Sequence, residues 1–330
     1  MTLAIIGASG LVGIALSKLL EEVDFPVTRL LPVSRSIDKN RELFFKGKNI
    51  PIIAIEEALH AKPKLVFFAT DEKLSKEWAP IFVAKGAIVI DNSTAWRLYP
   101  DCPLIVPEVN AAVLTSKDRL IANPSCLVVQ LVTALAPLHQ RYGIKRLVIS
   151  TYQAVTGSGK MAVEQLLTER KGKLADSPAY AYPIDLNIIP QVGDFLDNGY
   201  TAEEMKLVYE TRKILSAPFL NVTATTVRIP VLGGHSMSVN MALEREANLV
   251  DVIRILKETP GVILQEKQYP MPLYATGKDS VFVGRVRKDE SSTHTFDLWI
   301  VADNLRKGAA TNAIQIAQFL LRQGIIAIDN

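Results

Sequence analysis

Short, continuous apolar runs alternate along the chain with stretches whose apolar residues recur at helical spacing. Residues 3–6 (Leu-Ala-Ile-Ile) form one such run, and Leu11, Ala15, Leu16, Leu19 and Leu20 then repeat every three or four positions. The alternation continues. Val27 to Val33, residues 64–69 and residues 87–91 predict strands, with a helix over Ser75 to Lys85. Strands apolar throughout and separated by helices predict a parallel, doubly wound sheet. One more short strand, Arg119 to Ala122, runs into a Pro-containing turn, and a helix from residue 126 to about Tyr142 follows.

Beyond that helix the pattern changes. Lys145 to Gln153 is a long β run, Thr156-Gly-Ser-Gly159 a glycine turn, and Lys160 to Arg170 helical. Residues 171–192, rich in Pro and Ala with two tyrosines, predict a long connection or a dimer-facing excursion. Thr201 N-caps a helix start. A strand carrying Arg228 turns at Gly233-Gly234, and His235 leads into a strand of period two (Met237, Val239, Met241, Leu243). Strands over Val281 to Arg287 and Thr295 to Ala302 and a helix from about Leu305 to Arg322 close the chain.

Composition narrows the class. The chain has 330 residues, 48% hydrophobic and 22% charged, enough for two domains with a large core and against disorder. A net charge of +3 without a basic cluster argues against a nucleic-acid surface. Two cysteines, Cys102 and Cys126, exclude a disulfide framework and fit a reducing, cytoplasmic compartment. No signal peptide and no run long enough to span a bilayer is expected, so the sequons at Asn92 and Asn221 are chance matches. Four scattered histidines make no metal-ligand cluster, and no metal is expected.

The chemistry concentrates in a few stretches. Gly7-Ala-Ser-Gly10-Leu-Val-Gly13 lies between a strand and a helix, the context of a dinucleotide fingerprint. Glycines permit the tight turn and let backbone approach a pyrophosphate resting on the helix N-terminus. The spacing is G-x-x-G-x-x-G rather than G-x-G-x-x-G, so a plain glycine loop stays an alternative. Gly7, Ser9, Gly10, Leu11, Val12 and Gly13 are the candidate cofactor contacts. At the end of the next strand, Ser34-Arg35-Ser36 stands where an NAD site places an acidic residue; two hydroxyls and an arginine suit a 2′-phosphate and favour NADP, although Asp38 is close by. Arg97 follows a strand end and is a candidate anion ligand, or else a cap or surface partner. Gly157-Ser-Gly-Lys160 is not a P-loop, because the first Gly is absent and Met161 replaces Ser/Thr.

Cys126, after Asn123-Pro-Ser, opens a helix. Exposed amides and the positive dipole end lower the pKa of a thiol there and can hold a developing oxyanion. The plainer alternative is a small apolar residue packed under the helix. Glu203 and Lys206 share a helix face, as a surface ion pair or as ligands. A His after two glycines is expected to be exposed or functional rather than core.

Taken in order, these stretches resemble the aspartate-semialdehyde dehydrogenase family over nearly the whole chain. The match continues through Val106-Pro-Glu-Val-Asn110, Ser150-Thr-Tyr-Gln-Ala-Val-Thr-Gly157, Gly199-Tyr-Thr-Ala-Glu-Glu-Met-Lys206, Arg228-Ile-Pro-Val231, Gly234-His-Ser236, Val281 to Lys288 and Asp303 to Ala310. The resemblance implies an α/β fold, with a Rossmann-type NADP-binding domain of residues 1–126 and 305–330. An α+β catalytic and dimerisation domain would span 127–304. It implies reductive dephosphorylation of 4-phospho-L-aspartate by NADPH, giving aspartate 4-semialdehyde on the route to lysine, threonine and methionine, in a homodimer or dimer of dimers.

By the same resemblance Cys126 is the nucleophile, His235 its acid/base partner, and Gln153 orients the substrate. Arg228 forks onto the substrate carboxylate, Glu203 meets its amino group, Lys206 and Arg97 bind phosphate, and Asn123 contacts substrate. Ser158, Gly159 and Asn304 border the cofactor, Asn304 near the nicotinamide. A His of pKa near neutrality suits proton transfer with a thiol. Two departures stand out: Ser125 precedes the cysteine where the family more often has Asn, and Ala69-Thr-Asp-Glu-Lys73 replaces a more glycine-rich turn, where extra side chains could crowd the cofactor. The rivals are N-acetyl-glutamyl-phosphate reductase, whose motif has Gly before Cys, and a non-catalytic dinucleotide-binding scaffold.

Overall fold

The computed structural model describes residues 1–34 and 42–327. Arg35 and Ser36, expected at the cofactor ribose, lie outside the described residues. The chain divides into two compact units, Met1–Pro124 with Ala309–Asn330, and Ser125–Gly308.

The first unit begins with β1 (Thr2–Ile6), α1 (Leu11–Glu22), β2 (Arg29–Val33), β3 (Glu42–Phe45), β4 (Lys48–Pro51) and α2 (Ile55–His60). It continues with β5 (Leu65–Phe68), α3 (Glu72–Ala84), β6 (Ile88–Asp91), α4 (Pro107–Asn110) and β7 (Leu120–Ala122). Five strands form one parallel sheet in the order β2-β1-β5-β6-β7. Side chains of a strand alternate between faces, so a continuous apolar run feeds two cores. Leu3 and Ile5 join Leu16, Leu19 and Leu20 of α1 on one face, with Ile314, Ala317 and Leu320 from the chain's last helix. Ala4 and Ile6 join Phe68, Ala79 and Phe82 on the other. The chain leaves β1 for β2 on one side and later returns to β5 on the other, so the loop after β1 sits at the sheet's switch point, where such sheets bind ligands.

The second unit opens with α5 (Cys126–Tyr142), β8 (Ile144–Gln153), α6 (Lys160–Glu169), α7 (Ala202–Ile214), β9 (Asn221–Arg228) and β10 (His235–Leu243). Then come α8 (Leu249–Glu258), β11 (Val262–Gln265), α9 (Pro272–Ala275), β12 (Val281–Lys288) and β13 (Thr295–Ala302). Its mixed sheet has the order β11-β12-β13-β10-β8-β9. Helix α5 is buried on most of its circumference and packs against this sheet and against α7 and α8. Parallel pairing of β8 with β9 sets Gln153 opposite Arg228 at their C-terminal ends. Antiparallel pairing sets His235 opposite Ala302 and Ser236 opposite Tyr152. One end of the sheet thus collects Gln153, Arg228, His235 and, just after β13, Asn304.

Three features depart from the pattern-based expectations. Hairpin β3–β4 turns through Lys46 and Gly47, both at positive φ (47° and 75°), the geometry of a two-residue hairpin usually written Asn-Gly; a lysine there hides the signal. The closing helix does not begin at Leu305: residues Arg306–Thr311 are π-helical, and α10 (Asn312–Arg322) follows. The Gly308 N–H donates to Asp303 O at 3.0 Å, a bond five residues long, while Asp303 Oδ1 accepts from the N–H groups of Leu305 (2.8 Å) and Arg306 (3.0 Å). Third, His235 is not exposed; it is wholly buried as the first residue of β10.

Among the described residues, no helix is long and apolar enough to cross a membrane, and no cluster of three or more His, Cys, Asp or Glu is placed to hold a metal ion.

Candidate active site

In the first unit the glycine loop is shaped by close backbone approach. Gly7 has φ +89°, and a Cβ there would lie 2.2 Å from the Ala69 carbonyl oxygen; a Cβ on Gly13 would lie 2.3 Å from that of Gly7. The N–H groups of Gly7 and Ala8 both donate to the Val33 carbonyl at 2.9 Å. Gly10 is the N-cap of α1; no side chain caps that end and no acidic residue occupies the first turn. The amides and dipole there are left for an anion. The hydroxyls of Ser9 and Ser34 are 2.9 Å apart, which ties the end of β2 to the loop. Leu11 and Val12 begin α1. This is a cradle into which a dinucleotide pyrophosphate and ribose fit. The loop before α3 leaves one side chain occupied: Asp71 Oδ1 accepts from the Leu74 N–H at 2.9 Å as the helix cap.

Also in the first unit, Arg97 is 8% exposed and donates from Nη2 to the Asn92 carbonyl at 2.7 Å. Burial raises the pKa of Asp91, against hydrogen bonds from Ser75 and Ser93 and the charge of Arg97. Asn123, expected to touch substrate, commits its amide to the fold: Nδ2 donates to Asn92 Oδ1 (2.9 Å) and the Ala309 carbonyl (3.3 Å), and Oδ1 accepts from Asn312 Nδ2 (2.6 Å).

In the second unit, Cys126 is the first residue of α5 and partly exposed. The N-cap residue, Ser125, makes no side-chain cap; its hydroxyl donates instead to Glu203 Oε1 at 3.3 Å, and its N–H donates to the buried Glu210 Oε2 at 2.7 Å. These two carboxylates fix the entry to the helix. From the other side Gly308 abuts the cysteine: a Cβ there would lie 2.6 Å from Cys126 Cβ.

Arg228 is the hub. It is 3% exposed and donates from Nη1 to the Ala154 carbonyl at 2.7 Å; its Nε is buried without a hydrogen-bond partner. Burial lowers its pKa, opposed electrostatically by Tyr180, Cys126 and Glu203. His235 lies beside it across Gly157. Burial, and next the Arg228 charge, push its pKa well down, against a smaller opposing effect of the Gly234 backbone. The expectation of a near-neutral imidazole is therefore not met, because the ring is wholly buried with a cation beside it. The Ala154 N–H donates to His235 Nδ1 at 3.1 Å, so the neutral ring carries its proton on Nε2, which is buried and unpartnered. Gly157 closes over both groups: a Cβ there would lie 2.8 Å from Arg228 Nη1 and 3.1 Å from His235 Nε2.

The remaining candidates of this unit fall nearby or on its rim. Glu203 and Lys206 pair at 2.8 Å on α7, with side-chain exposures of 13% and 30%, so this is not a solvated surface pair. Gln153 is buried and donates from Nε2 to Thr151 Oγ1 at 3.2 Å. Asn304 is held by the Gly234 N–H (3.2 Å on Oδ1) and by Thr156, to whose hydroxyl its Nδ2 donates at 3.1 Å. Ser158 is exposed, and Gly159, at φ +87°, is the N-cap of α6. Sequence inspection did not single out Ala154, Gly157, Glu210 or Gly308, whose contribution is backbone groups, absent side chains or a distant carboxylate.

Known proteins align with this arrangement along its length. Residues 2–117 match the model described as semialdehyde dehydrogenase, NAD binding domain, and residues 135–307 match semialdehyde dehydrogenase, dimerisation domain. An aspartate-semialdehyde dehydrogenase of Aquifex aeolicus is 44% identical over 98% of both chains, and one of Bacillus subtilis 40% over 98% of both. The crystal structure of aspartate semialdehyde dehydrogenase II from Vibrio cholerae superposes with a TM-score of 0.94 at 39% identity, over 97% of this chain and 98% of that one. With both halves matched and the cysteine, arginine and histidine gathered as described, the chain belongs to the aspartate-semialdehyde dehydrogenase family.

Proposed function

We propose that the protein performs the NADPH-dependent reductive dephosphorylation of 4-phospho-L-aspartate to L-aspartate 4-semialdehyde. The observation that carries this is the buried pair of Arg228 and His235, both against the same face of Gly157, in the unit whose helix α5 opens with Cys126. The carboxylate, amino group and electrophilic carbon of an aspartyl compound find a guanidinium, a carboxylate and a thiol in that unit.

Cys126 reacts as its thiolate, favoured by the amides at the start of α5 and by the positive charge of Arg228. Its Sγ attacks the acyl carbon, the C–O bond to phosphate breaks, and inorganic phosphate departs from a thioester. Sulfur suits both halves: the thiolate is a strong nucleophile and the thioester a ready hydride acceptor. When bound, the reduced dinucleotide supplies the hydride that converts the thioester to a thiohemiacetal. His235 Nε2–H donates a hydrogen bond to the oxygen that becomes negative on the acyl carbon, since Nδ1 is committed to Ala154. Breaking the C–S bond then frees the aldehyde and returns the thiolate.

Arg228 gives a planar, charge-assisted grip on the substrate carboxylate. Glu203 takes the amino group, Lys206 and Arg97 offset the phosphate charge, and Gln153 orients the acyl group. Ser34-Arg35-Ser36 supports NADP over NAD through the 2′-phosphate. A homodimer, or a dimer of dimers, fits the description of the second matched region; light scattering tests it. The deciding experiment supplies aspartate semialdehyde, phosphate and NADP⁺ and follows NADPH. Wild-type protein is expected to turn over, and Cys126→Ala to lose turnover while keeping its circular dichroism and melting temperature. An active alanine variant would refute the nucleophile.

A further inference from the structure

We infer that Tyr180 is a second ligand for the substrate's α-carboxylate, its phenol O–H donating to the carboxylate that Arg228 holds. The inference rests on the substrate class proposed above and adds a residue that the sequence did not point to.

Residues 171–192 are not a loose connection. Gln165 Oε1, on α6, accepts from the N–H groups of Ala179 (2.7 Å) and Tyr180 (3.0 Å). Glu169 Oε2, one turn on, accepts from Ile184 and Asp185, each at 2.8 Å. Arg170 donates to the Pro230 carbonyl at 2.6 Å and to Asp185 Oδ1 at 3.2 Å. The segment then pairs with β9 at Arg228 itself: the Ile189 N–H donates to Arg228 O at 3.0 Å, and the Arg228 N–H to Ile189 O at 2.8 Å. Two side chains of α6, that of the residue capping it and a two-bond bridge therefore fix the segment that carries Tyr180, and they fix it against the backbone of Arg228.

The result is a cavity of about 290 Å³ lined by Tyr180, Arg228, Ser158, Ile189 and Gln191 among others. Two polar atoms of its walls, the Tyr180 hydroxyl and Arg228 Nε, are buried without any hydrogen-bond partner in the protein. A buried donor left without a partner is costly, and two such donors lining one cavity are satisfied together by one acceptor-rich anion. A carboxylate offers about four lone-pair sites on two oxygens. Arg228 Nη1 is already committed to Ala154, so Nε–H is open for one oxygen, and the phenol supplies a neutral donor for a further lone pair. A neutral donor adds grip without adding a second cation beside Cys126.

Tyr180→Phe removes only the hydroxyl. The expected result is a KM for aspartate semialdehyde raised about tenfold with kcat within about twofold, because the lost bond is made equally in the ground and transition states. 3-Aminopropanal, the same aldehyde without the carboxylate, is expected to give the same kinetic constants with wild type and variant. Calorimetric titration with L-aspartate is expected to show a Kd about tenfold weaker in the variant, about 1.4 kcal/mol. Unchanged KM and Kd, equal losses on both aldehydes, or wild-type protein that binds no aspartate would each overturn the assignment. Wild-type protein that binds aspartate through Tyr180 yet never reduces NADP⁺ would overturn the proposed reaction and leave this site standing.

Discussion

Gly157→Ala separates the geometry of the site from the stability of the fold. The added methyl carbon would lie 2.8 Å from Arg228 Nη1, 3.1 Å from His235 Nε2 and 3.2 Å from His235 Cε1. Ordinary contact needs several tenths of an ångström more. Neither neighbour can retreat freely: Nη1 is bonded to the Ala154 carbonyl at 2.7 Å, and the imidazole is wholly buried with Nδ1 on the Ala154 N–H. Overpacking of this kind costs about 1–3 kcal/mol. If it falls on the two groups that hold the substrate and its reacting oxygen, kcat/KM drops roughly 5- to 150-fold.

The backbone adds no strain of its own. Gly157 is exposed and its φ is not in the left-handed region, so alanine meets no backbone strain. The loss of chain entropy in the unfolded state even favours the variant by about 0.4–1 kcal/mol. Gly172→Ala provides the opposite control. Its φ is +71° with nothing within 4 Å of the added carbon, so it should lose about 1 kcal/mol of stability and keep its kinetics. The assay is NADPH formation from aspartate semialdehyde alongside thermal melts of all three proteins. A Gly157→Ala enzyme within twofold of wild type would refute the packing argument, since Arg228 and His235 would then be free to move.

Three other outcomes follow from the same geometry. Arg228→Lys should raise KM for the semialdehyde and lower kcat, because a point charge cannot reproduce the guanidinium fork or the bond to Ala154; unaltered steady-state constants would remove Arg228 from the carboxylate site. Arg35→Ala should abolish the preference for NADP over NAD; an unchanged ratio of the two kcat/KM values would put the 2′-phosphate elsewhere. His235, depressed by burial, binds its proton less readily folded than unfolded, so its contribution to stability is present above the ordinary His value and is lost as pH falls below it. Urea titrations from pH 7 to 5 should therefore show wild type losing up to about 1.4 kcal/mol per pH unit more than His235→Gln; parallel pH profiles would contradict a neutral buried ring.

The chain's own order of residues determined a good deal. Continuous apolar runs, and their alternation with stretches of helical spacing, were enough for the parallel sheet of the first unit, because strands buried on both faces need no polar positions. The glycine loop was legible because only glycine tolerates φ +89° at Gly7 with a carbonyl 2.2 Å from its missing Cβ. Cys126 was a candidate from its place at a helix start, with a packed small residue as the alternative, and the roles of Arg228 and His235 came from the family resemblance.

What tertiary structure decided is how those groups meet and in what state. Sequence spacing gave no sign that the C-terminal ends of β8 and β9 and the start of β10 share one end of a mixed sheet; strand pairing across the chain does that. Its glycine neighbours left His235 exposed or functional, and the family resemblance added a near-neutral imidazole. Burial beside Arg228 reverses that, because desolvation and a like charge both act on the ionised ring, and neither is a local property. The π-helical turn at Arg306–Thr311 arises from Asp303 binding ahead along its own chain, where helical periodicity reads only the side chains. Tyr180 reaches Arg228 only because Gln165 and Glu169 pin a proline-rich segment whose composition carries no period at all.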